Sequence, residues 1–233
     1  MRAMIEIVTD EALLRRVYCD ILAPSFPDTE LITAEEFIAF GAAGDVEVLV
    51  ARDGVELQGV IVGERHGGGV LVDWLAVAST TRGGGVGGAL LSAGFEFWLG
   101  QEGVQVVLGE VERPDLFSAH PQYGDPARRF AFYERRGATV LDLPYYQPPM
   151  AEDKPRLRGL LLVVLAAADQ EPAPRVLTAL ETAAVREVLL ATMGPAQPGD
   201  DETALVYATV DDPAGLRLLP LSDYARIPVS QGS

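Results

Sequence analysis

The alternation of apolar and polar positions predicts strands over most of the first two thirds of the chain, with helices spaced between them. Residues 4–8 alternate and predict a first strand, after which Thr9 or Asp10 caps a helix running to about Ile21. Residues 23–27 break that helix. Thr33-Ala34-Glu35-Glu36 then opens a short second one, with Thr33 as cap and Glu36 closing a capping box. Residues 46–52 and 57–65 predict two strands around the hairpin turn Asp53-Gly54. His66-Gly67-Gly68-Gly69 turns the chain into a strand over 70–77. A glycine-dense loop follows, and from Gly85 to about Leu99 a helix packs through Leu90, Leu91, Phe97 and Trp98. Residues 104–111 predict the next strand, parallel to 70–77 because a helix joins the two.

Asp125-Pro126 starts a further helix, an acid at the cap followed by proline at the first helical position, and Gly137 ends it. Residues 139–142 and 157–165 predict two more strands, separated by the proline-rich stretch 144–155. Residues 167–174 resemble a linker. Beyond it, 175–193 predicts an amphipathic helix with Val176, Leu180, Ala184 and Val188 on one stripe, 194–202 a loop, and 204–210 and 216–219 short strands. The division expected is a domain over 1–168 and a helical extension over 169–233 packed on it.

Composition narrows the class. A chain of 233 residues, 48% hydrophobic, can bury a core of its own. The longest clearly apolar run, 159–168, is too short for a bilayer, and Glu6, Asp10 and Glu11 interrupt any signal-peptide pattern at the start. Cys19 is the only cysteine, which leaves no intrachain disulfide and no cysteine-based zinc site and suits a reducing cytoplasm. It reads as a small buried apolar residue. A net charge of −16 argues against nucleic acid or an anionic membrane as partner. The acids are unevenly spread: nine lie between Asp20 and Glu56 against one base, Arg52. They form either a solvated face or a rim that attracts a cation.

The chemistry gathers at the glycine loop. Gly83-Gly84-Gly85-Val86-Gly87-Gly88-Ala89 lies between a strand and a helix, where backbone N–H groups and a helix N-terminus hold an anion such as a phosphate. Two motifs fit the same letters. Gly83, Gly85 and Gly88 satisfy G-x-G-x-x-G, with Glu110 as a ribose-binding acid, which would make a nicotinamide-dependent oxidoreductase. In such a site the first glycine closes the strand directly, whereas here residues 78–82 intervene. Arg82-x-x-Gly85-x-Gly87, preceded by Leu75-Ala76-Val77, instead resembles the acyl-CoA pyrophosphate motif of the GNAT acyltransferase superfamily. Phe132-Tyr133-Glu134-Arg135-Arg136-Gly137 resembles the end of that superfamily's second motif. The sequence departs from the pattern in lacking the upstream asparagine and in carrying Ala138 after the glycine.

The resemblance implies a mixed α/β (α+β) fold, with a mostly antiparallel central sheet, splayed parallel fourth and fifth strands and flanking helices. It also implies N-acetyl transfer from acetyl-CoA to a small-molecule amine by direct attack in a ternary complex, with no metal. By resemblance, residues from Arg82 to Ala89 hold the pyrophosphate, the edge of Leu75–Val77 pairs with the pantetheine arm, and Tyr133 protonates the leaving thiolate. Independently of family, a protonated amine needs a base. Glu112 and Glu110, on one face of their strand, and Asp73, a polar residue in an apolar strand, are the candidates, with His120 after them; His66 reads as a hairpin residue. Two alternatives stay open: a CoA-binding module without turnover, and the nicotinamide enzyme. A homodimer also stays open.

Overall fold

The computed structural model describes residues 4–81, 83–122, 124–149 and 154–231. The chain forms two compact units, residues 1–65 with 71–101 and residues 66–70 with 102–233.

In the first unit, β1 (Met4–Ile7) leads to α1 (Glu11–Val17), which opens where the Asp10 carboxylate accepts the Leu13 N–H at 2.9 Å. The helix continues as a π turn over Tyr18–Leu22. The second helix, α2 (Ala34–Ala43), has the expected reciprocal cap. Glu36 N–H donates to Thr33 Oγ1 at 3.2 Å while Thr33 N–H donates to Glu36 Oε2 at 2.9 Å, and Gly44 ends the helix at φ 80°. β2 (Glu47–Asp53) and β3 (Glu56–His66) form the expected hairpin, with Asp53 opposite Glu56. β1 pairs antiparallel with β2, and β4 (Gly69–Val77) follows β3 in the sheet. Leu14, Leu22, Phe37, Val48, Val60 and Trp74 belong to one buried cluster, each large apolar side chain contributing roughly 1.5–3 kcal/mol. Trp74 also donates its indole N–H to the Glu30 carbonyl at 3.0 Å. α3 (Val86–Leu99) completes this unit.

The second unit is built on β5 (Val106–Glu112), α4 (Pro126–Glu134), β6 (Thr139–Leu141), β7 (Tyr146–Gln147), β8 (Leu157–Arg158) and β9 (Leu160–Ala167). The last segment adds β10 (Arg175–Val176), α5 (Ala179–Met193), α6 (Asp201–Val210) and β11 (Arg217–Pro220). Its strands lie in the order β5-β9-β6-β11-β10, every neighbour antiparallel, while β7 and β8 make a separate two-stranded ribbon. α4 starts as expected, Asp125 accepting the Ala127 N–H at 2.9 Å with Pro126 at the first position. The expected class, a mixed α/β fold of mostly antiparallel strands with flanking helices, is the one found.

Five local expectations are overturned. Residues 204–210 are helical, within α6, because Asp200 caps a helix there by accepting the Thr203 N–H. α5 begins at Ala179 rather than 175, since Thr178 and Glu181 form a capping box. Val176 and Leu180 are exposed, so its buried stripe runs through Glu181, Ala184, Val185, Val188 and Leu189. The strand expected over 157–165 is interrupted at Gly159, whose φ is 85°. Cys19 is exposed, in the π turn, and not a core residue.

Candidate functional site

Ala78 follows β4 and remains tied to β3, donating its N–H to the Gln58 carbonyl at 2.9 Å. Thr81 closes the short 3-10 turn Ser79–Thr81 and donates its hydroxyl to the Gln58 and Ala78 carbonyls, each at 3.1 Å. β3 and β4 approach so closely here that a Cβ on Gly59 would lie 2.7 Å from the Ala76 carbonyl oxygen. The entry to the glycine loop is thereby anchored.

Gly83 and Gly85 adopt φ of 85° and 82°, a conformation that other residues rarely take. Gly85 caps α3 without any side-chain hydrogen bond. The N–H groups of Val86, Gly87 and Gly88 therefore open the helix with no carbonyl one turn back inside it. A cavity of about 880 Å³ lies along this helix, lined by Gly84, Gly85, Gly88 and Ala89 together with Gln58 and Thr81. A Cβ at Gly83 or Gly85 would meet no protein atom within 4 Å. The N–H groups of this first turn, the helix dipole and the cavity beside them fit an anionic diphosphate. Arg82 lies outside the described residues. On β4, Asp73, Leu75 and Val77 alternate as half-buried residues with the buried Trp74 and Ala76.

The second unit holds the other candidates. Glu112 Oε2 accepts a hydrogen bond from Arg129 Nη2 at 2.7 Å, and Arg129 stands one turn before Tyr133 on α4. Tyr133 is buried. Burial pushes its phenol up to about 12, with the Arg129 and Arg136 charges pulling the other way. Two residues away on β5, Glu110 accepts bonds from the Tyr145 hydroxyl at 2.6 Å and the Gln147 amide at 2.7 Å. Burial, then the Glu110 charge, holds the Tyr145 phenol well above a tyrosine's usual value. His120 Nδ1 accepts the Gln122 N–H at 3.2 Å, and its backbone pairs with Gly124, which makes it part of its own loop. The structure thus joins Glu112 to the helix of Tyr133 through Arg129.

Sequence reasoning did not single out Arg129, Tyr145 or Gln147. Arg129 carried a usable signal, since a base at four-residue spacing from Tyr133 shares its helix face. Tyr145 and Gln147 did not, because their distance from Glu110 in sequence is bridged only by the fold. Arg113 was missed as well. It is buried, bonds Asp115, and donates to the Ile227 carbonyl at 2.6 Å.

Residues 44–137 match the family model of the acetyltransferase (GNAT) domain. Among solved structures, a GNAT-family protein from Bacteroides thetaiotaomicron is similar at 24% identity and a TM-score of 0.61, covering 83% of this chain and 99% of its own. Ard1 from Thermoplasma volcanium aligns at 21% identity and a TM-score of 0.51, covering 70% of this chain and 97% of its own. The diaminobutyrate acetyltransferase EctA from Paenibacillus lautus, in complex with L-2,4-diaminobutyric acid and coenzyme A, aligns at 17% identity and a TM-score of 0.50, over 73% of this chain and 99% of its own. No curated protein matches the sequence. Among the described residues no helix is long and apolar enough to cross a membrane.

Proposed function

We propose that the chain, whose residues 44–137 match the acetyltransferase (GNAT) family model, is an N-acetyltransferase moving an acetyl group from acetyl-CoA to a small, cationic amine. The observation that supports this most is the loop from Gly83 to Ala89, where the N–H groups of the first turn of α3 stand beside a cavity of about 880 Å³. Arg82 joins that loop in the proposal, and the edge of Leu75, Ala76 and Val77 receives the pantetheine arm.

Transfer is direct. The neutral amine nitrogen attacks the thioester carbonyl, a backbone N–H stabilises the oxyanion, and the C–S bond breaks as the N–C bond forms. A carboxylate among Glu110, Glu112 and Asp73 removes the ammonium proton beforehand. Tyr133 serves the leaving sulfur. A phenol near 12 is ionised in only about one molecule in 10⁵ at pH 7, whereas a thiol titrates near 8.5. Tyr133 therefore acts best by hydrogen-bonding the thiolate and relaying a proton, without persisting as tyrosinate. A cytoplasmic setting belongs to the same reading.

The test is thermal shift with acetyl-CoA and with NAD, followed by thiol release on an amine panel. Acetyl-CoA at a hundred times its Kd raises stability by about 2.7 kcal/mol, and NAD leaves the midpoint unmoved. A shift with NAD alone would return the loop to the nicotinamide reading. Binding of CoA without thiol release from any amine would make the chain a CoA-binding module.

A further inference from the structure

Arg113 follows directly on β5, and its guanidinium is buried. A cation is costly to bury unless partners meet it. Nε and Nη2 donate to the two oxygens of Asp115 at 3.2 and 3.1 Å, and Nη1 donates to the Ile227 carbonyl at 2.6 Å. Those bonds to the guanidinium hold the Asp115 carboxyl below its usual value. The guanidinium also stands 5.6 Å from the centre of the Tyr224 ring. Tyr224 and Ile227 belong to the C-terminal tail, in which the Ile227 N–H closes the 3-10 turn Leu221–Arg226 on the Tyr224 carbonyl at 3.0 Å.

The Tyr224 ring also meets α4. Its centre lies 4.8 Å from that of Phe130, with the two rings inclined at 63°. Phe130 is buried and stands three residues before Tyr133, and Arg129 stands four before it, so both neighbour Tyr133 on the helix surface. A helix of nine residues is too short to hold itself in water and depends on what it packs against. Arg129 ties α4 to Glu112 of β5, and Phe130 ties it to the tail. The tail is fixed in turn. Leu221 and Ile227 are buried, and the Ser230 hydroxyl bonds the Glu202 carboxylate at the start of α6.

We propose that Tyr224 and Arg113 are positioning residues for Tyr133, and that the tail over 221–230 is the brace that sets α4 so that the phenol reaches the leaving sulfur. This rests on the acetyltransferase reading above and on the role given there to Tyr133. A hydrogen bond made in the transition state tolerates little misplacement, and about 1 Å can cost about 10²-fold in rate. Phe130 passes the position of the tail to the helix, and Arg113 passes the position of β5 to the tail. The C-terminal segment thereby contributes to turnover without touching either substrate.

The experiment uses the full chain, acetyl-CoA, and three cationic amines: 1,4-diaminobutane, glucosamine and lysine methyl ester. Thiol release gives kcat and KM, and single turnovers isolate the chemical step. Tyr224→Ala is expected to lower kcat about 10-fold and to leave the KM of acetyl-CoA within about twofold. Tyr224→Phe keeps the ring against Phe130 and should recover most of that loss. In a Tyr133→Phe background, Tyr224→Ala should lower kcat by less than about twofold further, because the tail acts only through that phenol. Should Tyr224→Ala not fold, Tyr224→Leu fills the space without an aromatic edge and carries the same cycle. Full kcat in the folded variant, losses that multiply in the double variant, or a KM for acetyl-CoA that rises as much as kcat falls would each overturn the proposal. A loss under about threefold in Tyr133→Phe alone, with chemistry limiting, would overturn it and leave the acetyltransferase reading standing. Normal CoA binding by the wild type with no transfer to any of the three amines would overturn it while sparing the donor site. Absence of CoA binding in a direct titration would remove the acetyltransferase reading as well.

Discussion

In the proposed mechanism, Tyr133 is where one atom decides most. Tyr133→Phe removes a hydroxyl and almost no packing, so the variant should fold normally and keep its affinity for CoA. Turnover should fall by about 10²-fold, the usual contribution of a positioned proton donor, in single-turnover thiol release; a loss under threefold with chemistry limiting would leave Tyr133 a packing residue. Gly85 is the donor-side counterpart. No protein atom lies within 4 Å of its missing Cβ, and its φ is 82°. Gly85→Asp thus adds backbone strain and a negative charge beside the N–H groups that open α3, and CoA affinity measured by calorimetry should be lost while the fold persists. Both positions stood out in the sequence because each belongs to a short contiguous motif. The partners of Glu110 and Glu112 were not, since a hydrogen bond between Tyr145 and Glu110 leaves no mark on local spacing.

Capped helices and tight turns were the most readable elements. Asp10, Thr33 and Asp125 each cap a helix, because the cap is a bond between residues two or three apart. The turn at Gly67-Gly68-Gly69 shows the limit of such reading. In sequence it is only a flexible connection. In the second unit it is a seat for α5, whose Glu187 accepts the Gly68 N–H at 2.7 Å. A Cβ on Gly69 would lie 2.5 Å from Val188 Cγ2 and 2.8 Å from the Ala184 carbonyl oxygen. Gly69→Ala is therefore expected to cost about 1–3 kcal/mol by overpacking, read as a lower thermal midpoint. Equal midpoints for the wild type and Gly69→Ala would show that α5 yields without cost.

Charge acts on the whole molecule in two opposing ways. With a net charge of −16, mild acid relieves self-repulsion and should raise the midpoint at first. Further acid breaks the pairs that hold α6. The guanidinium of Arg158, offset in part by burial and joined by Ser230 and Arg156, lowers the Glu202 carboxyl to about 2. A depressed carboxylate contributes stability above its unfolded value, near 4.5, and that contribution drains away as pH falls towards 2. The amount is on the order of 3 kcal/mol before screening of the partly exposed arginines reduces it. Glu202→Gln should flatten this acid limb in a pH series of thermal melts, and an unchanged limb would move the loss to other carboxylates. At neutral pH, the nine acids between Asp20 and Glu56 should make the acceptor KM rise with salt, as the Debye length shrinks from about 10 Å at 0.1 M to about 3 Å at 1 M. A flat salt profile for 1,4-diaminobutane would confine those acids to solubility. By itself the sequence determined the strand and helix order through β6, the caps and the glycine loop, all set by interactions within a few residues. Only the tertiary structure decided that 201–210 is a helix, that Arg129 binds Glu112, and that Tyr145 and Gln147 meet at Glu110. Those outcomes depend on packing between segments far apart in the chain, which periodicity does not encode.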